Sequence, residues 1–344
     1  MAKTKKHERK RILFIYTGGT IGMRQDPKTG ALKPVDFNTI TEHVQELKRL
    51  DCQFGFHAFP VPIDSSNVSP DLWDVLARTI EKNYTSYDGF VILHGTDTMA
   101  YTASALSFMF EGLSKPIIIT GSQLPLGKLR TDARRNIVSA AEIAVSKTVV
   151  PEVCIYFNNQ LFRGNRSEKH TSSKFDAFQS LNFPPLAEAG VDIEFNTDHM
   201  LSVSRKKFTV HYGFDTNVAL IKIYPGIHTD VIDTTLRTRG LKAVVIETFG
   251  SGNAPTHPEF LRVLKSAIDR GVILVNVSQC SGGSVDQGKY QTSYHLQKIG
   301  VISGKDMTTE AAITKLMFLL AHEKSSTMLN KKYQQSLRGE LTDI

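Results

Sequence analysis

The stretch Arg11-Ile12-Leu13-Phe14-Ile15-Tyr16-Thr17-Gly18-Gly19-Thr20-Ile21-Gly22 runs an apolar strand straight into paired glycines. Such a junction puts backbone N–H groups and a hydroxyl at the carboxyl edge of a sheet, where open α/β sheets bind ligands. Taken alone, it leaves Thr20 open to three readings: helix N-cap, phosphate contact or nucleophile. No GxxxxGK followed by Ser or Thr is present, so it is not a phosphate loop. As a dinucleotide fingerprint it is defective, because Thr17 stands where the first glycine belongs and only Gly19 and Gly22 fit. Helix capping by Thr20 is the simplest explanation of the motif in isolation.

Outward from this junction, seven short apolar runs read as buried strands: 11–16, 89–94, 116–120, 152–158, 218–224, 242–248 and 272–278. Their hydrophobicity is continuous rather than alternating, which fits a parallel sheet covered on both faces. Helical patterns over 70–84, 97–110, 131–147, 257–270 and 308–323 lie between them, the first led by Ser69-Pro70-Asp71 as its cap. Alternation of strand and helix makes the class α/β. The rhythm breaks in a polar, basic stretch around 195–217. We therefore expect a basic disordered tip at 1–10, an N-terminal α/β domain with helices on both faces at 11–205, a linker at 206–216 and a smaller α/β domain at 217–344.

At 344 residues, 41% hydrophobic and 22% charged, the composition is that of a two-domain globular chain. No apolar run approaches the ~18 residues of a membrane helix, and no secretory signal is recognised, so no membrane partner is expected. Cys52, Cys154 and Cys280 are far apart and odd in number, which argues against a disulfide framework and for a reducing cytoplasm. Residues 3–11 hold six of the basic side chains and one acidic one, a net +5 of the total +7. The rest of the chain is near neutral, so a nucleic-acid partner is not expected.

Three further segments carry polar groups to strand ends. His94-Gly95-Thr96-Asp97-Thr98-Met99-Ala100 follows the second run; a capped helix start explains one of Thr96 and Asp97 but not both. Arg163-Gly164-Asn165-Arg166-Ser167-Glu168-Lys169-His170 reads as a polar loop, in which Lys169 is solvated unless it reaches the sheet edge near Thr96 and Asp97. Ile63-Asp64-Ser65-Ser66-Asn67 precedes the Pro70 helix, with turn duty as the default and a grip on a small zwitterion as the alternative. The eleven histidines form no HExxH and no Cys/His pairing, so no metal is expected.

Together these segments resemble the asparaginase family of threonine amidohydrolases, whose two signatures match TGGTIG and HGTDTMA. The resemblance runs from Ile12 to Leu341 and includes GNR at 164–166, FGSGNAP at 249–255 and LRGELT at 337–342. DSS at 64–66, the LRGELT tail and the lack of a signal peptide resemble the cytosolic type I branch. The resemblance implies Thr20 as nucleophile, forming a β-aspartyl ester from L-asparagine with release of ammonia. It implies Thr96, Asp97 and Lys169 as the second catalytic group, with the Thr96 N–H as an oxyanion donor. Ser65 and Ser66 would hold the substrate α-carboxylate, with Asp64 beside them, and Asp97 would also meet the ammonium. No cofactor is implied, and a homodimer or homotetramer is expected.

One departure concerns the activator of Thr20. Residues 23–34 contain no Tyr where the type II branch has one, and Tyr16 reads as a strand residue. Tyr290 and Asn253 are candidates to reach a partner subunit's site from the second domain, and Cys280 falls in the region of a regulatory asparagine site known in some type I members. The alternatives are an ammonia-supplying subunit of a tRNA-dependent amidotransferase, or a non-catalytic amino-acid or nucleotide-binding protein. Deleting residues 1–10 is expected to leave ammonia release unchanged; loss of a tRNA-dependent activity in that truncation would revive the nucleic-acid reading.

Overall fold

The computed structural model describes residues 9–25, 32–34, 37–287 and 291–343. All seven apolar runs are strands: Lys10–Tyr16, Gly89–Leu93, Ile117–Thr120, Val153–Phe157, Val218–Lys222, Ala243–Thr248 and Ile273–Ser278. Their continuous hydrophobicity has a direct cause. Leu13 and Ile15 enter one core with Ile92 and Ile119, while Ile12, Phe14 and Tyr16 enter another with Val91 and Ile118. Helices Pro70–Asn83 and Met99–Met109 cover the first face and Ala133–Val145 the second, so neither side of a central strand meets water.

The first sheet has eight strands, in the order Ile193–Phe195, Ala187–Ala189, Gln160–Arg163, Val153–Phe157, Ile117–Thr120, Gly89–Leu93, Lys10–Tyr16 and Cys52–Ala58. The last five are parallel, and each of the first three is antiparallel to its neighbour. That antiparallel edge extends the expected parallel sheet. Its cause is Asn158-Asn159, whose φ values of 45° and 69° make a two-residue hairpin turn. The basic stretch at the start also needs correcting: Lys10 opens the first strand and Arg9 pairs with Asp51 at 2.8 Å. A truncation that spares the fold therefore stops at residue 8; residues 1–8 lie outside those described.

The second sheet, Val218–Lys222, Ala243–Thr248, Ile273–Ser278 and Ile302–Ser303, is parallel throughout. Helices Thr229–Leu236 and Pro258–Asp269 cover one face, Thr309–His322 and Ser326–Tyr333 the other. Helix Met99–Met109 serves both units. All of it but Tyr101 is buried, and Phe108 enters the core of the second sheet beside Phe318. A helix covered on every side has no need of a polar stripe. The stretch read as a linker is strapped down: Thr209–Val210 pairs with Phe110–Glu111, Phe208 stacks on Tyr84 at 3.6 Å, and Phe214 meets Trp73 edge-on.

The C-terminal tail locks the two units together through buried charge. Arg166 donates to Asp306 at 2.8 Å, to the Gly339 carbonyl at 2.8 Å and to Thr342 Oγ1 at 3.0 Å. Asn165 donates to the Arg338 carbonyl, and Arg163 reaches both Glu152 and the Gly339 carbonyl. Fully buried Lys315 pairs with fully buried Glu340 and donates to the carbonyls of Tyr333 and Gln335. Glu340 in turn accepts the N–H groups of Leu337 and Arg338. A pair satisfied in this way is costly to break from one side only. Glu340→Ala is expected to lower unfolding stability by about 3–5 kcal/mol in urea denaturation, and Glu340→Leu combined with Lys315→Met to recover most of that loss.

Candidate active site

Three segments meet at the carboxyl edge of the first sheet as bare backbone. A Cβ on Gly18 would lie 2.1 Å from the Ile63 carbonyl oxygen, and one on Gly19 would lie 2.4 Å from Gly95 Cα. A Cβ on Gly95 would lie 2.6 Å from Ser65 Oγ. Hydrogen bonds fasten the same contacts: Thr17 N and Oγ1 both donate to the Leu93 carbonyl, and Ile63 N donates to the Thr17 carbonyl. Ser65 Oγ accepts from Asp97 N at 3.3 Å, while Thr98 Oγ1 donates to the Ser65 carbonyl at 2.7 Å. Gly121, after the Ile117–Thr120 strand, closes the floor, since a Cβ there would strike the His94 carbonyl oxygen and Met99.

Thr20 does not cap a helix. It is the first residue of a 3-10 turn, Thr20–Gly22, whose cap position is Gly19 at φ 83°, with no side-chain cap bond. Its half-buried hydroxyl has no hydrogen-bond partner among the described residues. The simplest reading of the motif is thus overturned: Thr20 opens the turn rather than capping it, and its side chain makes no cap bond. Tyr16, 1% exposed, braces the turn from beneath by donating to the Gly22 carbonyl at 3.1 Å. Burial pushes its phenol up to about 12, so it is a poor candidate to activate Thr20.

The capping reading fails at the second motif as well. Helix Met99–Met109 begins after Thr98, which makes no side-chain cap bond. Thr96 and Asp97 turn instead to Lys169, whose Nζ donates to Thr96 Oγ1 at 2.8 Å and to Asp97 Oδ1 at 2.7 Å. The Lys169 side chain is 17% exposed and that of Asp97 63%. Lys169 lies not in a loop but in a two-residue strand, Glu168–Lys169, paired with Phe178–Gln179. It reaches the site because Gly164, pressed against Ala103 and Val153, lets the chain run back along helix Met99–Met109. An ammonium only donates, so the Thr96 hydroxyl accepts from it and keeps its own proton free to give.

Asp64, Ser65 and Ser66 do different work from one another. Ser65 is buried at 4% and faces the 95–98 turn, whereas Ser66 and Asp64 are exposed. The Asp64 carboxylate accepts from Ser66 N at 2.9 Å and Ser66 Oγ at 2.8 Å, and those bonds hold it below the usual carboxylate range. Asn253 closes a tight turn on Phe249 after the Ala243–Thr248 strand of the second sheet. Tyr290 lies outside the described residues. Cys280 is exposed and lines a cavity of about 270 Å3 with Tyr101, Glu168, Glu247 and Glu310, where burial pushes Glu310 up to about 7. Among the described residues no cluster of His, Cys, Asp and Glu is placed to hold a metal, and no helix is long and apolar enough to cross a membrane.

Sequence reasoning gave no role to His94. The ring is 1% exposed; its Nδ1 lies 2.6 Å from the Gly95 carbonyl oxygen and its Nε2 3.1 Å from Thr102 Oγ1. Burial pushes it down to about 4, so the imidazole is neutral near pH 7. The only signal in the sequence was its position at the strand end.

A family model described as Asparaginase, N-terminal matches residues 11–201, and one described as Glutaminase/Asparaginase C-terminal domain matches residues 217–331. L-asparaginase 1 of Escherichia coli is 43% identical to this chain, over 97% of this chain and 99% of that protein. A glutamyl-tRNA(Gln) amidotransferase subunit of Aeropyrum pernix is 35% identical, over 97% of this chain and 80% of that protein. The crystal structure of L-asparaginase I from Vibrio cholerae superposes with a TM-score of 0.89 at 45% identity, covering 98% of this chain and all of that one.

The neutral His94 makes stability depend on pH. Below its unfolded value of 6.5 the unfolded chain binds a proton that the folded ring refuses until about 4. Stability from this group is complete above pH 6.5 and declines from there towards pH 4, by up to about 1.4 kcal/mol per pH unit. The buried Glu310 acts in the opposite direction, its contribution being lost as pH rises from 4.5 through about 7. The difference between wild type and His94→Asn isolates the histidine. Urea midpoints at pH 7, 5.5 and 4.5 are expected to fall more steeply in the wild type than in that variant.

Proposed function

Because the chain belongs to the asparaginase family, we propose that it hydrolyses the side-chain amide of L-asparagine to L-aspartate and ammonia through an ester on Thr20. The observation that carries this reading is the Lys169–Thr96 bond of 2.8 Å, made on a turn whose Gly95 is in backbone contact with Gly19. It supplies the second half that a threonine nucleophile needs.

In the first step Thr20 Oγ1 bonds to the amide carbon and the π electrons move to the amide oxygen. The Thr20 proton passes to Thr96 Oγ1 while Thr96 gives its own proton to the departing nitrogen as the C–N bond breaks, with the Lys169 ammonium bound to Thr96 throughout. Ammonia leaves and a β-aspartyl ester remains. Water then adds to the ester carbon, and the bond to Thr20 breaks with its proton restored. Thr96 orients that water, Lys169 polarises Thr96, and Asp97 balances the ammonium. Lys169 already occupies one oxygen of Asp97, so a substrate ammonium shares that carboxylate rather than owning it. Ser65 offers its hydroxyl proton to the substrate α-carboxylate, and Ser66 can join it only by releasing a bond to Asp64. Asp64 serves chiefly to hold Ser66, because its carboxylate is bound to both donors of that residue.

The same reading places the enzyme in the cytoplasm as a homodimer or homotetramer, with Asn253 and Tyr290 as candidates to reach a partner's cleft. The amidotransferase alternative is less supported: the match to L-asparaginase 1 is closer and spans nearly all of that protein.

Thr20→Ala and Lys169→Met are each expected to lower kcat for ammonia release from asparagine by at least about 10³-fold with the fold intact by circular dichroism. Full activity in either would remove that residue from its role. Glutamine is expected to react more slowly, by about 10- to 200-fold in kcat/KM, since one methylene is worth only about 1–3 kcal/mol in a pocket.

A further inference from the structure

The His94 ring sits at the hinge of the second motif, buried between the sheet and helices Pro70–Asn83 and Met99–Met109. Its two nitrogens meet one partner each: the Gly95 carbonyl oxygen at 2.6 Å and Thr102 Oγ1 at 3.1 Å. Thr102, itself fully buried, has a second partner in Trp73 Nε1 at 3.1 Å. An indole nitrogen can only donate. Thr102 Oγ1 therefore accepts from Trp73. A carbonyl oxygen can only accept, so the proton of the neutral ring is on Nδ1, where it is donated to Gly95. Nε2 is then the bare nitrogen, and Thr102 donates to it.

We propose that the relay Trp73–Thr102–His94 positions the Thr96 N–H as the oxyanion donor of the hydrolysis, by holding the Gly95–Thr96 peptide in one orientation. The chain has no cis peptide among the described residues, and across a trans peptide the C=O and the N–H point in opposite directions. With the Gly95 carbonyl drawn inward to the buried ring, the Thr96 N–H is turned outward, away from the core. That N–H has no acceptor among the described residues, and Thr96 is half-buried. A protein that leaves a half-buried donor unpaired at a site has it ready for a charge that develops there.

The relay also explains why the ring is neutral. An imidazolium would present two donors, and Thr102 would have to turn its proton away from the ring to accept the second. Burial opposes the charge as well, holding the ring at about 4. His94, Thr102 and Trp73 touch no substrate in this arrangement, so they are positioning residues. A tryptophan on a helix packed against the sheet thereby sets which way a backbone amide faces at the reaction centre. The inference rests on the threonine amidohydrolase reading above.

Nuclear magnetic resonance of the wild type labelled with 15N in its histidines reads the tautomer directly. The expected result is protonation of His94 at Nδ1; protonation at Nε2 would overturn the relay. Kinetics supply the second arm. Thr102→Val and His94→Leu are expected to lower kcat for asparagine by about 10- to 100-fold with KM nearly unchanged, below the 10²–10³ of deleting an oxyanion donor outright. His94→Asn, which keeps an amide donor near the Nδ1 position, is expected to retain most of kcat. Folded Thr102→Val and His94→Leu proteins with wild-type kcat, or a His94→Asn protein as slow as His94→Leu, would reduce the relay to a structural role. Wild type and Thr20→Ala run alongside separate the two levels. A wild type that releases no ammonia from asparagine overturns the hydrolase reading and the relay with it, whereas an active wild type with unaffected relay variants overturns the relay alone.

Discussion

Between Gly19 and Gly95 there is no room for a side chain: a Cβ on the first would lie 2.4 Å from the backbone of the second, and one on the second would strike Ser65. Everything else at the site follows from this approach of bare backbone. It brings the residue after Gly19 and the residue after Gly95, both threonines, to the same edge of the sheet. It also fixes Ser65 as a strut, with Asp97 N and Thr98 Oγ1 fastened to it. Alanine at either glycine would force the turns apart. At Gly19 the φ of 83° adds a conformational cost of its own.

Lys169 reaches the same edge by a different route, and that route depends on the second domain. The three residues that precede its strand by only a few positions, Arg163, Asn165 and Arg166, are clamped to the tail carbonyls of Arg338 and Gly339 and to Asp306. Gly339 has φ 80°, and a Cβ there would fall 2.5 Å from Arg163 Nη1, so the tail cannot shift without disturbing the clamp. The buried pair Lys315–Glu340 holds the tail itself. A lysine on a long, mobile side chain is thus delivered from a backbone pinned on both sides of the domain boundary.

How much of this was legible differs by element. The seven central strands were readable because strands covered on both faces carry no polar residue to interrupt the run. Cys52–Ala58 was missed because it is the outer strand of the sheet, half-exposed along most of its length and broken by Gly55. The antiparallel edge was signalled by Asn158-Asn159, a pair suited to positive φ that the run of apolar residues before it obscured. The juxtaposition of Lys169 with Thr96 spans 73 positions of sequence and came from family resemblance, since no local pattern encodes it. His94 carried a stronger clue than was used. A histidine closing a wholly apolar strand has to be satisfied inside the protein, and the hydroxyl that satisfies it lies eight residues on, in the helix that follows.

If Thr20 is the nucleophile, as proposed, the missing tyrosine near it narrows the ways in which it can be activated. Tyr16 is the aromatic hydroxyl beneath the turn, and its proton is committed to the Gly22 carbonyl while burial makes that proton harder to remove. Tyr16 is thereby unsuited to take the Thr20 proton. On the opposite side the Thr96 hydroxyl is polarised by an ammonium and free to exchange its own proton. On the proposed reading, one polar group then has to serve both the formation and the hydrolysis of the ester. That demand fits a Thr96 held from three directions, by Lys169 at its hydroxyl, by Ser65 through the next residue, and by His94 through the preceding carbonyl. A group that relays protons in two successive steps gains more from fixed orientation than from strong basicity, because its partners change while its position cannot.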